Sequence, residues 1–175
     1  MTNLIIQDNF LPYPNIVRFW ALRQQFLSAE EITAQYNRPN TWPGLRSANI
    51  NELDADFANS VLGRISSIAK QNFVLGNNIE IRSCFQLTTE SDGTSWIHRD
   101  DDVQVAGLIY LTPDAPVNTG TTFYRGFDST EVDIIGNIYN RLIMYDATIL
   151  HKSTKYFGDN VENSRLTLVF FITGN

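Results

Sequence analysis

The chain has 175 residues, enough for one domain with a hydrophobic core and few for two, so we treat residues 1–175 as a single domain. Apolar residues make up 43% of the sequence, which excludes a disordered or fibrous chain. The net charge of −6 and the scattered positions of the 13 basic residues argue against a nucleic-acid-binding surface.

The first helix is predicted to begin at Pro14, because proline is favoured in a first helical turn, and to continue at helical spacing to about Leu27. Residues Glu30–Asn49 are expected to form a long irregular connection. They include Pro39, Pro43 and Gly44. Because long loops in compact domains often carry function, the part Gln35–Asn49 is a candidate lid over a binding site.

A second helix is predicted from Asn51, with Asn51 as its N-cap and Asp54 in the first turn, where acidic residues are favoured. Its apolar stripe at helical spacing consists of Phe57, Ala58, Val61, Leu62, Ile65, Ile68 and Ala69. The helical part of the chain is therefore expected to cover about residues 1–75.

Beyond Gly76 the pattern changes to short apolar runs separated by turn residues, which is typical of β-strands. The predicted strands are Ile79–Leu87, Ile97–Asp100, Val105–Leu111, Thr121–Tyr124, Arg141–Tyr145 and Arg165–Ile172. Helices followed by antiparallel strands indicate an α+β, mainly β fold. We expect a jelly-roll of about residues 76–175, with the N-terminal helices packed on one outer face.

The cellular compartment is suggested by the single cysteine, Cys84, which cannot form an intrachain disulfide and so favours a reducing environment. The first ten residues lack the basic and apolar segments of a signal peptide. No apolar run approaches the roughly 18 residues that a membrane-spanning helix needs. We therefore expect a cytoplasmic protein with no membrane partner, and its oligomeric state stays open.

The chain has two histidines, and both lie where a metal site would need them. His98 and Asp100 stand two positions apart, so on an extended strand their side chains point to the same face. His151 follows just after a predicted strand. Two histidines and one carboxylate form the facial triad of non-haem iron oxygenases, which leaves other positions on the metal open. Each histidine could instead be an ordinary core or turn residue.

Two further aspartates, Asp101 and Asp102, follow Asp100 directly. The two-residue spacing from His98 favours Asp100 as the ligand. We expect Asp101 and Asp102 to be solvated turn residues or hydrogen-bond acceptors behind the ligands.

Arg165 and Thr167 open the last apolar strand, and their spacing places both side chains on one face. A guanidinium beside a hydroxyl can bind a carboxylate through paired hydrogen bonds. Considered without its context, Arg165 would more simply pair with a nearby acid such as Asp159 or Glu162.

The order of these motifs is similar to that of a known family. His-x-Asp, an Ile-Tyr-Leu strand, a Gly-Thr-Thr-Phe turn, the segment NRLIMYDATILH and an arginine-led final strand resemble the prolyl-hydroxylase-like, Fe(II)- and 2-oxoglutarate-dependent dioxygenases. The resemblance runs from about Ile79 to the C-terminus, and the segments DNFLPYPNIVR and WPGLRS resemble microbial and phage-type members. It implies a double-stranded β-helix that binds Fe(II) and uses 2-oxoglutarate as cosubstrate.

The resemblance also implies residue roles. His98, Asp100 and His151 would bind Fe(II) as the catalytic centre. Arg165 would pair with the distal carboxylate of 2-oxoglutarate, and Tyr110 would donate a second hydrogen bond to it. Thr167 is a third candidate for this contact, although it could equally be an ordinary β-strand residue. The tyrosine that the family often places about ten residues before the first ligand is replaced here by Thr88, so one cosubstrate contact differs. The segment between His151 and Arg165 also looks longer than in the family.

The implied activity is hydroxylation of an unactivated C–H bond, with release of succinate and CO2. The carboxylate of Asp100 favours hydroxylation over halogenation, because similar halogenases lack that ligand. Prolyl residues, free amino acids or other small substrates, including peptides, are all compatible with the resemblance. Candidate substrate contacts are Trp42, Arg46, Trp96 and Arg125, although each could equally serve packing or lie on the surface.

Three other classes of protein could carry the same residues. A zinc hydrolase could use two histidines and one aspartate as metal ligands. A binding module could keep the jelly-roll without the chemistry, although intact ligands argue against it. A calcium-stabilised domain could use the aspartates at 100–102, but histidine is a poor calcium ligand.

Overall fold

The computed structural model describes residues 4–37, 41–126 and 130–175. Pro39 of the expected connection lies outside the described residues. The described strands, numbered in chain order, form two antiparallel sheets. The larger sheet has seven strands in the spatial order β1 (Leu4–Gln7), β8 (Leu142–Asp146), β5 (Val105–Tyr110), β10 (Arg165–Gly174), β4 (Ile79–Thr88), β3 (Leu45–Asn49) and β2 (Leu27–Ser28).

The smaller sheet has three strands in the order β7 (Glu131–Ile135), β6 (Thr121–Tyr124) and β9 (Leu150–Ser153). Apolar side chains of both sheets meet between them, and Phe123 of the smaller sheet packs edge-on against Tyr145 of the larger sheet at 5.0 Å between ring centroids. The two facing antiparallel sheets confirm the predicted mainly β jelly-roll.

Helices α1 (Pro14–Ala21), α3 (Ile50–Leu53) and α4 (Ala55–Asn72) contribute buried side chains to the layer on the other face of the larger sheet. No described side chain of α2 (Ala29–Tyr36) belongs to that layer. The stripe predicted for the second helix faces the core as expected, with Ala58, Val61, Leu62, Ile65 and Ala69 buried against the sheet. Strand residues alternate between this layer and the layer between the sheets, as the two-residue period of a strand requires. No helix among the described residues is long and apolar enough to cross a membrane.

The predicted bounds of the first helix were wrong. Helix α1 ends at Ala21 instead of continuing to Leu27, because Leu27 pairs with Arg46 in the larger sheet. Its central residues Ile16 and Phe19 are largely exposed, so only part of the expected apolar face packs on the core. Strand pairing therefore overrode a helical spacing that continued past the end of the helix.

The irregular connection expected at Glu30–Asn49 is also wrong for its described residues. The segment contains most of α2 and all of β3. Ser28 and Glu31 form a capping box at the start of α2, in which the Ser28 hydroxyl accepts from the Glu31 amide and the Glu31 carboxylate accepts from the Ser28 amide. That Ser-x-x-Glu spacing was visible in the sequence as a helix-start signal.

The start of the second helix needs a smaller correction. Asn49, not Asn51, is the N-cap of the short helix α3, and its side chain accepts from the amide of Asn51 at 3.1 Å. Asp54 has an extended backbone and is the N-cap of α4, where its carboxylate accepts from the amide of Phe57 at 2.9 Å. The capping carboxylate thus divides one predicted helix into two.

Among the strands, Thr121–Tyr124 has the predicted bounds, and four others differ by one or two residues at their ends. Ile97–Asp100 is not a regular strand, because only His98 makes a β-bridge, to His151. The strands β1, β2, β3, β7 and β9 were not predicted. In β7 both Val132 and Ile134 are exposed, so this edge strand lacks the usual alternation of buried apolar and exposed polar residues.

Candidate metal centre and its cavity

His98, Asp100 and His151 come together at one end of the space between the sheets. Nε2 of His98 lies 3.8 Å from Oδ1 of Asp100, and Nε2 of His151 lies 3.4 Å from Oδ2. One ligand atom from each of the three residues lies within 4.8 Å of the others. Bonds of about 2.1 Å meeting near a right angle would separate ligand atoms by about 3 Å, so the three groups can hold one ion after small movements.

The backbone brings the two histidines together by direct pairing. The amide of His98 donates to the carbonyl of His151 at 3.0 Å, and the amide of His151 donates back at 2.8 Å. The amide of Asp100 then donates to the carbonyl of Ala147 at 3.1 Å, in the turn after β8. The segment around His98 is thus held beside β9 without a continuous ladder, and its two-residue spacing still directs His98 and Asp100 to one point.

Backbone carbonyls also set the tautomer of both imidazoles. Nδ1 of His98 lies 2.9 Å from the carbonyl of Trp96, and Nδ1 of His151 lies 2.9 Å from the carbonyl of Ile149. A carbonyl only accepts hydrogen bonds, so Nδ1 carries the proton in each ring. The lone pair of each Nε2 is therefore directed to the Asp100 side, which is the arrangement that a metal-binding histidine needs.

Burial lowers the pKa of His151, an effect that the neighbouring His98 reinforces and the charge of Asp100 opposes. The neutral imidazole, which is the metal-binding form, is favoured as a result. Beside it, burial and the charge of Asp100 raise the pKa of the Tyr145 phenol well above its usual value. Tyr145 packs with its ring centroid 4.7 Å from that of His151 and lines the cavity as a neutral phenol.

Asp101 and Asp102 are exposed residues of the turn that follows Asp100, and Asp102 has a positive φ of 68°. Neither belongs to the group of ligand atoms formed by the two histidines and Asp100. Both line the mouth of the cavity, in agreement with their expected place in a solvated turn.

A cavity of about 510 Å³ opens over the triad, and both apolar and charged side chains of the larger sheet line it. Arg165, on β10, is 3% exposed and lines it. Its Nε donates to the carbonyl of Thr119 at 3.2 Å and its Nη2 lies 3.5 Å from that of Gly120. No carboxylate of a described residue forms an ion pair with it, so the expected alternative partners Asp159 and Glu162 do not neutralise this cation.

Tyr110 is fully buried beside Arg165, whose guanidinium carbon lies 5.5 Å from the centroid of the phenol ring. The Tyr110 hydroxyl forms a 2.8 Å hydrogen bond with the hydroxyl of Thr121, which lines the cavity. Burial raises the pKa of this phenol, so it keeps its proton. Thr167 is also buried, and its hydroxyl donates to the carbonyl of Gln86 in a long contact of 3.5 Å.

Trp42 and Arg46 line the same cavity from the edge of the larger sheet. The Arg46 guanidinium carbon lies 4.4 Å from the centroid of a Trp42 ring, and its Nη2 donates to the side-chain oxygen of Gln86 at 3.3 Å. Gly44, between them, has a φ of +72°, and a Cβ there would lie 2.3 Å from the carbonyl oxygen of Leu87. Glycine therefore allows the turn that presents both side chains.

The remaining predicted site residues differ in position. Trp96 is 49% exposed and lines the cavity, with its ring centroid 6.0 Å from that of His98. Arg125 is exposed and lines a separate depression beside β6 and β7, so the expectation that it contacts substrate in this cavity is not supported. Thr88 is buried opposite Arg165 on β4, and its hydroxyl has no hydrogen-bond partner among the described residues.

Several residues that line the cavity were missed in the sequence. They include Gln86, Thr121, Tyr145 and Tyr156. The alternation of β4, β6 and β8 could have indicated the first three, because each stands an even number of positions from another cavity residue or inward-facing side chain of its strand. Tyr156 follows β9 in an irregular segment, where no periodicity reveals which side chains point inward.

No family model matches the sequence, and no curated protein matches it. Solved structures do match the fold. A prolyl-4-hydroxylase from Pseudomonas putida is 17% identical and superposes with a TM-score of 0.64, covering 100% of this chain and 94% of its own. HygX from Streptomyces hygroscopicus, solved with nickel and 2-oxoglutarate bound, is 11% identical with a TM-score of 0.66, covering 99% of this chain and 84% of its own.

A third similar structure is a prolyl hydroxylase from Trichoplax adhaerens in complex with a peptide fragment of hypoxia-inducible factor. It is 13% identical with a TM-score of 0.61, and the match covers 97% of this chain and 83% of the other. Identities this low establish the arrangement of the chain and leave its chemistry to the site residues. The chain therefore has the prolyl-hydroxylase-like, double-stranded β-helix fold of the 2-oxoglutarate-dependent oxygenases.

Proposed function

We propose that residues 1–175 form a single Fe(II)- and 2-oxoglutarate-dependent oxygenase domain that hydroxylates a small-molecule or peptide substrate. The observation that carries the proposal is the convergence of His98, Asp100 and His151 at a cavity that also contains Arg165, a buried cation without an acidic partner among the described residues. A metal-ligand triad beside an unneutralised guanidinium fits a chelating, dianionic cosubstrate. The lone Cys84 is compatible with the reducing cytoplasm that we propose as its compartment.

The donor set suits Fe(II). Two imidazole nitrogens and one carboxylate oxygen on one face of an ion form the facial triad, and they leave positions for the keto acid and for dioxygen. Both imidazoles present Nε2 because carbonyls hold Nδ1–H of His98 and His151. When bound, Fe(II) supplies the redox chemistry by which dioxygen and 2-oxoglutarate yield succinate, CO2 and a hydroxylated C–H position.

The chain's own residues would orient the cosubstrate. Arg165 would bind the distal carboxylate through charge-assisted hydrogen bonds, since the carbonyls of Thr119 and Gly120 already hold its guanidinium in place. Tyr110 remains protonated and so can donate a hydrogen bond beside Arg165. Thr121, hydrogen-bonded to that phenol and lining the cavity, is a further donor to the same carboxylate.

The walls of the cavity would keep the reacting carbon away from bulk water. Apolar groups of the larger sheet line it, among them Leu108, Val169 and Phe171. A volume of about 510 Å³ lies within the range of small-molecule sites and has room for a cosubstrate with part of a second substrate. Exclusion of water strengthens the charged contacts and limits side reactions.

The deciding experiment measures metal and cosubstrate together. Anaerobic protein should bind about one Fe(II) per chain, and adding 2-oxoglutarate should produce the weak visible charge-transfer band of a keto-acid chelate. Admission of dioxygen should then release succinate slowly without added substrate. Protein that binds the metal but gives neither the band nor succinate would contradict the proposal, and hydrolysis of a test ester panel by the zinc form would favour a metallohydrolase instead.

A further inference from the structure

Arg46 is a second cation at the same cavity, and the proposed function does not use it. It extends from β3, the strand next to the edge strand β2, opposite Gln86 of β4, whereas Arg165 extends from the central strand β10. Among the described residues no carboxylate forms an ion pair with Arg46. Asp100 is the carboxylate whose charge acts on Arg46, but Asp100 faces the two histidines and would be neutralised there by a bound metal.

The surroundings of Arg46 are costly for an unpaired cation. Burial lowers the pKa of its guanidinium, and its Nε is buried without a hydrogen-bond acceptor among the described residues. Its neighbours are the faces of Trp42 and Phe171 and the amide of Gln86, which itself donates to the carbonyl of Pro43 at 3.0 Å. These contacts orient the guanidinium without neutralising its charge.

Trp42 also has a buried donor without a hydrogen-bond partner in the described part of the chain. Its indole Nε1 is buried without an acceptor among the described residues, although an indole N–H normally finds one when buried. Two donors on neighbouring side chains of one cavity wall therefore lack acceptors. An anionic group that enters the cavity at this point would supply what both side chains lack.

The adjoining surface has the charge to attract such a group. A neighbouring cavity of about 500 Å³ shares Trp42 and Arg46 with the first one. Arg82 and Arg99 line it on exposed positions, together with the carboxylates of Asp100 and Asp101. With Arg46, the cations of this cavity outnumber its carboxylates three to two although the net charge of the chain is −6, and this excess would favour the approach of an anion.

We propose that Arg46, stacked on Trp42, binds a carboxylate of the prime substrate. The inference rests on the proposed function and deepens it: the substrate class is a carboxylic acid, either a free amino acid or the C-terminal residue of a peptide. A neutral metabolite does not offer this group, and neither does the main chain of a residue inside a peptide. With the substrate carboxylate at Arg46 and the cosubstrate at Arg165, the two cations divide the cavity between two anions.

The test compares acids with their own amides while Arg165 is occupied. Anaerobic protein is first saturated with Fe(II) and 2-oxoglutarate, so that the charge-transfer band reports a filled cosubstrate site. The twenty L-amino acids, and acetylated tripeptides ending in the same residues, are then titrated calorimetrically as free acids and as primary amides. At least one free acid should bind about tenfold or more tightly than its amide, as expected for a charge-assisted pair.

Three variants locate the preference. Arg46→Met keeps an apolar stem against Trp42 and should reduce the acid-to-amide ratio to about one, whereas Arg46→Lys, which keeps the charge but not the planar fork, should keep part of it. Arg23→Met is the matched control, because Arg23 also stacks on an aromatic ring, that of Phe19, at 3.3 Å, and it does not line the cavity. That control should leave the ratio unchanged. If Arg46→Met does not fold, a ratio lowered at least about threefold in Arg46→Lys carries the same conclusion.

The outcomes separate the two proposals. A normal charge-transfer band together with no acid that binds more tightly than its amide overturns the carboxylate inference and leaves the oxygenase intact. A preference for acids that is undiminished in Arg46→Met, or in Arg46→Lys where Arg46→Met does not fold, also overturns it. Absence of the band in metal-loaded wild-type protein contradicts the proposed function and the inference with it. Selective binding of free amino acids over peptide acids would identify a small-molecule substrate, and the converse a peptide C-terminus, both within the inference.

Discussion

The two arginines at the cavity are held in different ways. Arg165 lies on a central strand, is almost fully buried, and donates to two backbone carbonyls. Arg46 lies on a strand near the sheet edge and is partly exposed as a residue, and its contacts are aromatic faces and one side-chain amide. Backbone carbonyls do not change with side-chain substitution, whereas Trp42 and Gln86 can.

This difference suggests that the two arginines bind different ligands. A guanidinium held by carbonyls in the core suits a ligand that is the same in every turnover, because its position is fixed before binding. A guanidinium held by side chains at a sheet edge can be altered without disturbing the core, which suits a substrate that varies between related enzymes. The predictions below test whether Arg165 and Arg46 have these separate roles, from the largest expected effect to the smallest.

The largest effect is expected at His98, Asp100 and His151, which line the cavity together with both arginines. His98→Ala or His151→Ala should abolish stoichiometric Fe(II) binding, because two remaining ligands hold the ion poorly. Metal analysis of protein purified without oxygen measures this. Asp101→Ala is the control and should be far milder than Asp100→Ala, since Asp101 is exposed and outside the group of ligand atoms. Full metal content in both histidine variants would show that the ion binds elsewhere.

The second effect separates the two arginines directly. Arg165→Ala should weaken 2-oxoglutarate binding by about 2–5 kcal/mol, because a buried carboxylate loses its partner, and should leave the metal in place. Arg46→Met should change cosubstrate binding little. Titration of the anaerobic charge-transfer band gives both affinities. If Arg46→Met instead weakens 2-oxoglutarate binding and Arg165→Ala does not, the roles of the two cations are exchanged.

The third effect concerns Trp42, which stacks on Arg46 at the cavity wall. Trp42→Ala should leave Fe(II) and 2-oxoglutarate binding intact, together with the slow decarboxylation that needs no substrate. Substrate-stimulated turnover should fall about tenfold, which corresponds to about 1.4 kcal/mol of activation free energy, because the indole ring that stacks on Arg46 is lost. A joint loss of thermal stability and of every activity would show that Trp42 serves the core and not the substrate.

A smaller effect is expected at Tyr110, which is buried beside Arg165. Tyr110→Phe removes one hydrogen bond beside Arg165 while the cation remains, so 2-oxoglutarate affinity should fall by about 0.5–2 kcal/mol. The variant also frees the hydroxyl of Thr121, which Tyr110 contacts at 2.8 Å. Thr121→Val provides the matched comparison, since it removes the other half of that pair. A loss in Tyr110→Phe as large as that in Arg165→Ala would mean that the phenol, not the guanidinium, dominates cosubstrate binding.

The smallest effect is expected at Arg125, which lines a separate depression. Arg125→Ala should leave cosubstrate affinity and substrate-stimulated turnover unchanged within error, because its guanidinium does not line the cavity over the triad. Steady-state succinate release measures both. A clear fall in turnover for this variant alone would show that substrate extends across the smaller sheet to Arg125.

The sequence by itself determined the class of fold and which three side chains cluster at the candidate metal centre. The two histidines were selected by their rarity, and Asp100 by its two-residue spacing from His98, which is a local feature of an extended backbone. The stripe of α4 and the strand Thr121–Tyr124 were likewise local patterns, so they appeared where periodicity placed them. Arg165 was singled out by the same spacing and by the family resemblance.

Tertiary structure decided which of the predicted side chains share a cavity. Arg46 and Arg125 have the same chemistry in the sequence, yet Arg46 stands opposite Gln86 at the cavity wall and Arg125 lies outside it. That separation depends on strand pairings between distant residues, which no local period encodes. The same reason explains the end of α1, because pairing between Leu27 and Arg46 stopped a helix that its own sequence would have continued.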